Sequence, residues 1–101
     1  MSLPVRITPE AEAQIREIDQ WWQRNRPAAV GLFLLELAEC FATLEHAPHI
    51  GRSYRKSPVA ATRRLLLKRT RYHVYYVASL DEVRVLAVFH AQRGKGPPLR
   101  A

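Results

Sequence analysis

Residues 72–90 read YHVYYVASLDEVRVLAVFH, which is two runs of β-branched and aromatic residues on either side of a short link at 80–82. Such runs favour β-strands, and a tight link between two of them is typical of a β-hairpin. We therefore predict strands over 72–79 and 83–90 that pair with each other. Both runs carry apolar residues at odd and even positions, so the sheet that contains them is predicted to be apolar on both faces.

The sequence before this hairpin predicts one more strand and two helices. Residues 5–8 alternate as a short strand does, and Thr8-Pro9-Glu10 supplies the capping hydroxyl, first-turn proline and acidic residue of a helix start. Apolar residues then recur at helical spacing to about Arg24, and a second apolar stripe runs from Pro27 to a break at 47–48. Two amphipathic helices joined by so short a link form an antiparallel hairpin.

The rest of the chain predicts a loop, a strand and a tail. Residues 48–62 contain the prolines, glycine and serines of a loop, residues 63–68 predict a strand, and residues 91–101 predict an irregular tail. The predicted order is β-α-α-β-β-β within a single domain of 101 residues. This is an α+β fold in which a helical hairpin packs on one face of a small, mainly antiparallel sheet.

Strand alternation also predicts which residues share a face of the sheet. One face is predicted to carry Val74, Tyr76, Leu86 and Val88, and the other Tyr75, Val77, Val85, Ala87 and Phe89. Because two helices cover only one face, the face opposite them, the second face, is predicted to be open to a partner. The alternative is that the loop over 48–62 folds across it.

Cysteine content and hydropathy indicate the cellular compartment in which we expect the protein. The single cysteine, Cys40, excludes an internal disulfide and indicates a reducing compartment, so we expect a cytoplasmic protein. Residues 1–8 lack the apolar run of a signal peptide, and no stretch approaches ~18 consecutive apolar residues, so no membrane span is expected. Cys40 lies on the second helical stripe and is predicted to be a buried thiol. His46 and His49 lack further ligands at suitable spacing, so neither a metal site nor a cofactor is predicted.

Charge is distributed unevenly along the chain. Residues 1–50 carry four basic and seven acidic side chains, a net of −3, whereas residues 51–101 carry twelve basic and two acidic, a net of +10. This asymmetry indicates an acidic partner for the second half, either nucleic acid or an acidic protein segment, with a solvated basic face as the alternative. Without a helix-turn-helix pattern, sequence-specific DNA binding is not expected.

Several short motifs stand in a recognisable order. They are TPEA at 8–11, Ile15, Ile18 and Trp22, PAAV at 27–30 with Phe33, APHIGR at 47–52, Arg64-Leu65, RYHVYYV at 71–77, and VRVLAVFH at 83–90 with Arg93. In this order and spacing they resemble the RelE/ParE toxin family of type II toxin–antitoxin systems, and within it the ParE branch. The resemblance extends from Val5 to about Arg93 and implies the same β-α-α-β-β-β fold.

The resemblance also implies a cognate antitoxin whose acidic C-terminal segment wraps the toxin, giving a hetero-oligomer. That segment would cover the second face and match the basic half of the chain. The predicted antitoxin-binding residues are Arg64, Arg71, Tyr75, Val77, Val85, Phe89 and Trp21. For Trp21, which lies at the margin of the first helical stripe, packing against the second helix is the alternative.

The family divides by mechanism. The resemblance to the ParE branch implies a non-enzymatic toxin that inhibits DNA gyrase by binding, with His90, Arg93 and Lys95 as the target contacts. RelE-like members instead cleave messenger RNA on the ribosome, and they typically carry a Tyr or His after the last strand, whereas residues 91–101 contain neither.

Two alternatives to a gyrase inhibitor stay open. If the chain is a ribosome-dependent nuclease, its acid–base and phosphate-binding residues are predicted to be His90, Arg71, Arg93 and Lys68, because RNA cleavage needs proton transfer and cationic stabilisation. The other alternative is an inactive relative of the toxins that is kept as an antitoxin partner.

Overall fold

The computed structural model describes residues 2–92 and 96–100. Its elements are β1 (Val5–Ile7), α1 (Pro9–Asn25), a 3₁₀ turn (Pro27–Ala29), α2 (Leu32–His46), β2 (Arg52–Ser53), β3 (Arg63–Leu67), β4 (Tyr72–Ala78) and β5 (Val83–His90). The sheet has the order β1-β5-β4-β3-β2, in which β1 is parallel to β5 and the other neighbours are antiparallel. The predicted α+β fold is confirmed, and the two-residue edge strand β2 is an addition within the predicted loop.

Helix α1 is fixed to the middle of the sheet by its first turns. The Thr8 hydroxyl accepts a hydrogen bond from the Ala11 amide at 3.2 Å, which caps the helix, and donates to the Leu86 carbonyl at 3.3 Å. One turn further, the Gln14 side-chain oxygen accepts from the Val88 amide at 2.8 Å. Strand β1 pairs only with residues 83–85 of β5. Further along β5, the side chains of Thr8 and Gln14 therefore form hydrogen bonds with the backbone of Leu86 and Val88.

A β-bulge in β5 changes the predicted assignment of residues to faces. Tyr75 is paired with Ala87 whereas Tyr76 is paired with Val85, so Leu86 is an extra residue on β5. The extra residue shifts the alternation by one. Val85 is consequently fully buried in the core under the helices, and Leu86 belongs to the cluster on the second face. The predictions that Val85 faces a partner and that Leu86 faces the helices are both wrong.

The main core lies between the helical hairpin and the sheet. Phe33, Leu37 and Leu44 of α2 are buried against strand residues such as Val74 and Tyr76. Cys40 belongs to the same core, where burial and the nearby charge of Glu36 raise the pKa of its thiol to about 12. The predicted buried thiol is therefore confirmed, and the raised pKa disfavours the thiolate form.

Residues 27–46, the 3₁₀ turn together with α2, are long enough to cross a membrane, and an 18-residue window within them has a mean hydropathy of 1.6 with 28% of the window buried. The apolar core helix of a globular domain has the same length and composition. The inner face of α2 packs on the sheet as such a core helix does.

The second face is covered in part by the chain itself. Tyr75, Leu86 and Ala87 are buried there with Leu99 of the tail, and Tyr54 and Val59 of the loop over 48–62 pack against them. The prediction that nothing in the chain covers this face is therefore wrong at its centre. The loop supplies part of this cover, as the alternative proposed, and Leu99 of the tail supplies another part.

Glu36 connects α2 to the turn between β3 and β4. Its carboxylate oxygens accept hydrogen bonds from the Arg69 amide at 2.7 Å, the Thr70 amide at 2.9 Å and the Thr70 hydroxyl at 2.6 Å. Burial raises the pKa of Glu36, but these hydrogen bonds and the charge of Arg69 outweigh that effect and place the pKa below its ordinary value. The basic turn, residues 68–71, is thereby held in one conformation.

Replacing Glu36 by glutamine is expected to lower the free energy of unfolding at pH 7 by about 2 kcal/mol. The glutamine side chain places an NH₂ donor where a carboxylate oxygen now accepts a hydrogen bond from the backbone amide of Arg69 or Thr70. A lowered pKa stabilises the fold above the unfolded value of about 4.3, and this contribution is lost as the pH falls through the folded value. The two proteins should therefore converge in stability toward acid pH in urea denaturation. A difference that stays constant with pH would contradict this role for the carboxylate.

Candidate functional site

A cleft of about 600 Å³ lies on the second face beside the buried cluster. The side chains that give it its chemistry are Tyr54, Arg55, Lys56, Arg64, His73, Tyr75 and His90. We refer to this set as the cationic cleft. Three of its members are permanently charged, and carboxylates are absent from its described lining. The cleft is therefore suited to an anionic ligand.

Strand pairing and aromatic contacts position the centre of the cationic cleft. Arg64 on β3 is paired with Tyr75 on β4, so both side chains lie on the second face. The Arg64 guanidinium carbon lies 5.0 Å from the centre of the Tyr54 ring, and the rings of Tyr54 and Tyr75 meet edge to face at 5.0 Å. A guanidinium stacked in this way is restrained, and its planar set of N–H donors matches a carboxylate or a phosphate.

His73 also lines the cleft, next to Tyr75, with the two ring centres 5.9 Å apart. Burial, together with the positive charges of Arg64 and Arg71, lowers the pKa of this imidazole. The imidazole is therefore neutral at pH 7, and it adds a donor and an acceptor to the cleft without adding charge.

A second concave surface lies on the helical side of the molecule. This helix-side groove, about 870 Å³ in volume, runs between α1 and the ends of β4 and β5, and Trp21, Trp22, Tyr72 and His90 line it. The Trp22 indole N–H donates to the Tyr72 hydroxyl at 3.3 Å, which ties the helix to the sheet. His90 lines both the groove and the cationic cleft, so the two surfaces meet at the end of β5.

The sequence model of the ParE toxin of type II toxin–antitoxin systems, parDE, matches residues 5–94. The chain belongs to the ParE toxin family. No curated protein sequence is significantly similar to it.

Two solved structures share this ParE-family fold. A chain of the chromosomal ParDE toxin–antitoxin system from P. aeruginosa matches with a TM-score of 0.74 at 17% identity, and the match covers 90% of this chain and 98% of that one. A chain of the YoeB dimer from Staphylococcus aureus matches with a TM-score of 0.56 at 12% identity, and the match covers 89% of this chain and 98% of that one. At these identities the likeness concerns the fold.

The site residues predicted from the ParE resemblance fall into separate regions. Arg64 and Tyr75 lie in the cationic cleft, and Val77 lines a smaller pocket of about 250 Å³ on the same face with Val59 and Leu86. Phe89 packs against the cluster of the second face. The structure places these residues on the second face, and their role in binding an antitoxin stays a prediction.

Other predicted residues lie elsewhere. Trp21 is 41% exposed on α1 and lines the helix-side groove, with the Arg26 guanidinium carbon 5.7 Å from the centre of its ring. Lys68 and Arg71 are exposed at the basic turn. The predicted contacts Arg93 and Lys95 lie outside the described residues.

His90 stands where these regions meet. It is paired with Tyr72 across the sheet, and the two rings meet edge to face at 5.1 Å. Its Nδ1 accepts a hydrogen bond from the Gln92 amide at 3.2 Å, and the Ala91 amide donates to the Arg71 carbonyl at 2.8 Å. His90 and the basic turn are therefore neighbours through the backbone.

Sequence reasoning missed His73 and the loop residues Tyr54, Arg55 and Lys56. A signal existed for His73, because alternation from Tyr75 places it on the same face. The loop residues carried no comparable periodicity. As for metals, no cluster of three or more His, Cys, Asp or Glu side chains is found within residues 2–92 and 96–100.

Proposed function

We propose that this ParE-family chain is the toxin of a type II toxin–antitoxin pair, and that it inhibits DNA gyrase by direct binding in the cytoplasm. Its match to the ParE toxin model over residues 5–94 is the observation that carries the proposal. The target contacts are His90 and the neighbouring residues of the tail, Arg93 and Lys95. Inhibition then needs no cofactor and no covalent step.

The same proposal gives the cationic cleft an antitoxin as its occupant, so that toxin and antitoxin form a hetero-oligomer. An acidic segment complements Arg55, Lys56 and Arg64, and apolar side chains of that segment fit the neighbouring pocket beside Val77. Opposite charges of this kind accelerate association and fix the orientation of the partner. The fold shared with the P. aeruginosa ParDE system supports this arrangement.

The composition of the tail after β5 favours binding over catalysis. Residues 91–101 contain neither histidine nor tyrosine, the two residue types that RelE-like nucleases typically place after the last strand. Leu99 is instead buried against the sheet. A binding toxin requires only a surface, which the cleft and the basic turn provide.

Gyrase inhibition is tested by a supercoiling assay with the purified chain. Relaxed plasmid is expected to stay relaxed at stoichiometric excess of the chain over gyrase, and supercoiling is expected to return when the antitoxin is added. A His90→Ala variant should inhibit at least tenfold less, because it removes a proposed contact, whereas Leu80→Ala, at a side chain that is 96% exposed, should inhibit normally. Normal supercoiling at excess chain would overturn the proposal.

A ribosome-dependent endoribonuclease is the second candidate. The observation that favours it is the cationic cleft itself, where a neutral His73 lies near Arg64 and Tyr75. Such a set supplies a proton acceptor and a cation for the phosphate. If this candidate is correct, translated messages are cut within minutes of induction and the cuts disappear with His73→Ala or His90→Ala. Intact messages in growth-arrested cells would exclude it.

A further inference from the structure

The tail at 96–100 packs on the second face through Leu99. Pro97 and Leu99 are buried, whereas Gly96, Pro98 and Arg100 are exposed. An alternation with a period of two is the pattern of an extended segment that packs one face on a surface. Leu99, at 6% exposure, shares a cluster with the buried Tyr75, Leu86 and Ala87. The tail therefore occupies an apolar platform formed by β4 and β5.

Side-chain packing is what attaches this tail. Within the described residues, the backbone and side chains at 96–100 form no hydrogen bond or ion pair with the rest of the domain. Gly96 passes so close to the Tyr54 hydroxyl that a Cβ at this position would clash with it. Gly96 thus lines the cationic cleft, whereas Pro98 and Arg100 line a pocket with Glu10 and Gln14 of α1. The buried side chains of the tail, at 97 and 99, are its main anchors.

The charge of this tail does not complement the cationic cleft. Residues 91–101 carry three basic side chains and no acidic one. None of them supplies a negative charge that would complement the fixed charges of the cleft, on Arg55, Lys56 and Arg64. A segment with acidic residues and the same apolar alternation would keep the packing and add attraction to the cleft.

We propose that residues 96–100 are an intramolecular ligand of the second face, and that an extended, acidic segment of the antitoxin displaces them. This inference rests on the proposed function, because it assigns the antitoxin to this surface. The incoming segment places apolar side chains on the platform of Tyr75, Leu86 and Ala87. Its carboxylates face the cationic cleft, and the tail is released into solvent.

Competition of this kind lowers the apparent affinity for the antitoxin. The antitoxin binds the fraction of molecules whose tail is undocked, so weakening the anchor raises the apparent affinity and the association rate. The anchor is Leu99, and the matched control is Leu80, which loses the same atoms from a position that is 96% exposed.

The experiment measures binding of the antitoxin encoded beside this chain to three full-length proteins: wild type, Leu99→Ala and Leu80→Ala. Leu99→Ala is expected to lower the apparent Kd on the order of tenfold, while Leu80→Ala matches the wild type. In parallel, the ¹³C-methyl resonances of Leu99 are followed in the wild-type protein. They are expected to move from shifted values to those of an unstructured leucine as the antitoxin saturates the protein.

The remaining outcomes separate the two claims. If Leu99→Ala binds no tighter than the control, or the Leu99 methyls stay shifted at saturation, the tail is not displaced and this inference is overturned while the antitoxin assignment stands. If none of the three folded proteins binds the antitoxin, the proposed function fails, and this inference fails with it.

Discussion

Replacing Gly51 by alanine is expected to lower the free energy of unfolding by about 3 kcal/mol, through overpacking and the strain on a buried hydrogen bond. A Cβ at this position would lie 2.6 Å from the Tyr76 hydroxyl oxygen, 2.8 Å from Cε1 of the same ring and 2.9 Å from the Arg64 carbonyl oxygen. Tyr76 is fully buried and cannot retreat. Its hydroxyl also accepts a hydrogen bond from the Gly51 amide at 2.9 Å, which the displacement would strain.

The matched control for Gly51 is Gly31→Ala. No atom lies within 4 Å of a Cβ at Gly31, and its backbone is already in the right-handed helical region, so its stability should change by less than about 1 kcal/mol. In a thermal melt, a loss of about 3 kcal/mol in a domain of this size lowers Tm by roughly 12–24 °C. Equal melting temperatures for the two variants would contradict the close approach of the loop to Tyr76.

Reversing the charge of Arg64 is expected to weaken antitoxin binding on the order of 100-fold. Arg64 lies at the centre of the cationic cleft, stacked on Tyr54 at 5.0 Å from its guanidinium carbon. Glutamate there would remove a restrained donor and oppose an acidic segment, and losses of this size are usual at close charge pairs in interfaces. The measurement is the Kd of the complex at two salt concentrations, because the electrostatic part of the loss shrinks as salt rises.

Arg16→Glu is the control for this change. It alters the net charge by the same amount, but Arg16 lies on α1, where its Nη1 is 2.9 Å from the Glu12 carboxylate and the side chain is 62% exposed. Long-range steering therefore changes equally in both variants, whereas the local contact is lost only in Arg64→Glu. Equal loss of affinity in the two variants would show that the cleft is not the contact and would contradict the assignment.

The elements that sequence predicted well are those with a local signal. The four-and-three spacing from Ala11 to Trp22 depends on the period of a helix, and Thr8-Pro9 marks its start at the residue that the structure shows. The hairpin of β4 and β5 depends on composition and a short link. Both signals arise from residues that are close in the sequence, so they predict the elements without knowledge of the tertiary contacts.

The bulge at Leu86 could not be predicted for a physical reason. Val85, Leu86, Ala87 and Val88 are all apolar, so a shift by one residue leaves the hydrophobic pattern unchanged. The register is set instead by contacts distant in sequence, such as the bond from Thr8 to the Leu86 carbonyl. The error at Val85 is a direct consequence of this ambiguity.

The candidate site was predictable in its charge but not in its construction. The excess of basic residues after residue 50 indicated an acidic partner, and alternation placed Tyr75 and Val77 on the correct face. The covering of that face by Tyr54, Val59 and Leu99 was not predictable, because these apolar residues stand singly within irregular segments. Single apolar residues in a loop do not reveal which surface they cover.

Methyl chemical-shift mapping of the chain with its antitoxin tests most directly whether the partner binds the second face. We predict that the methyl resonances of Val59, Val77 and Leu86 shift on binding, while those of Leu34 and Leu35, exposed on α2, keep their positions. The opposite pattern, with shifts on α2 and none around the cationic cleft, would contradict the account.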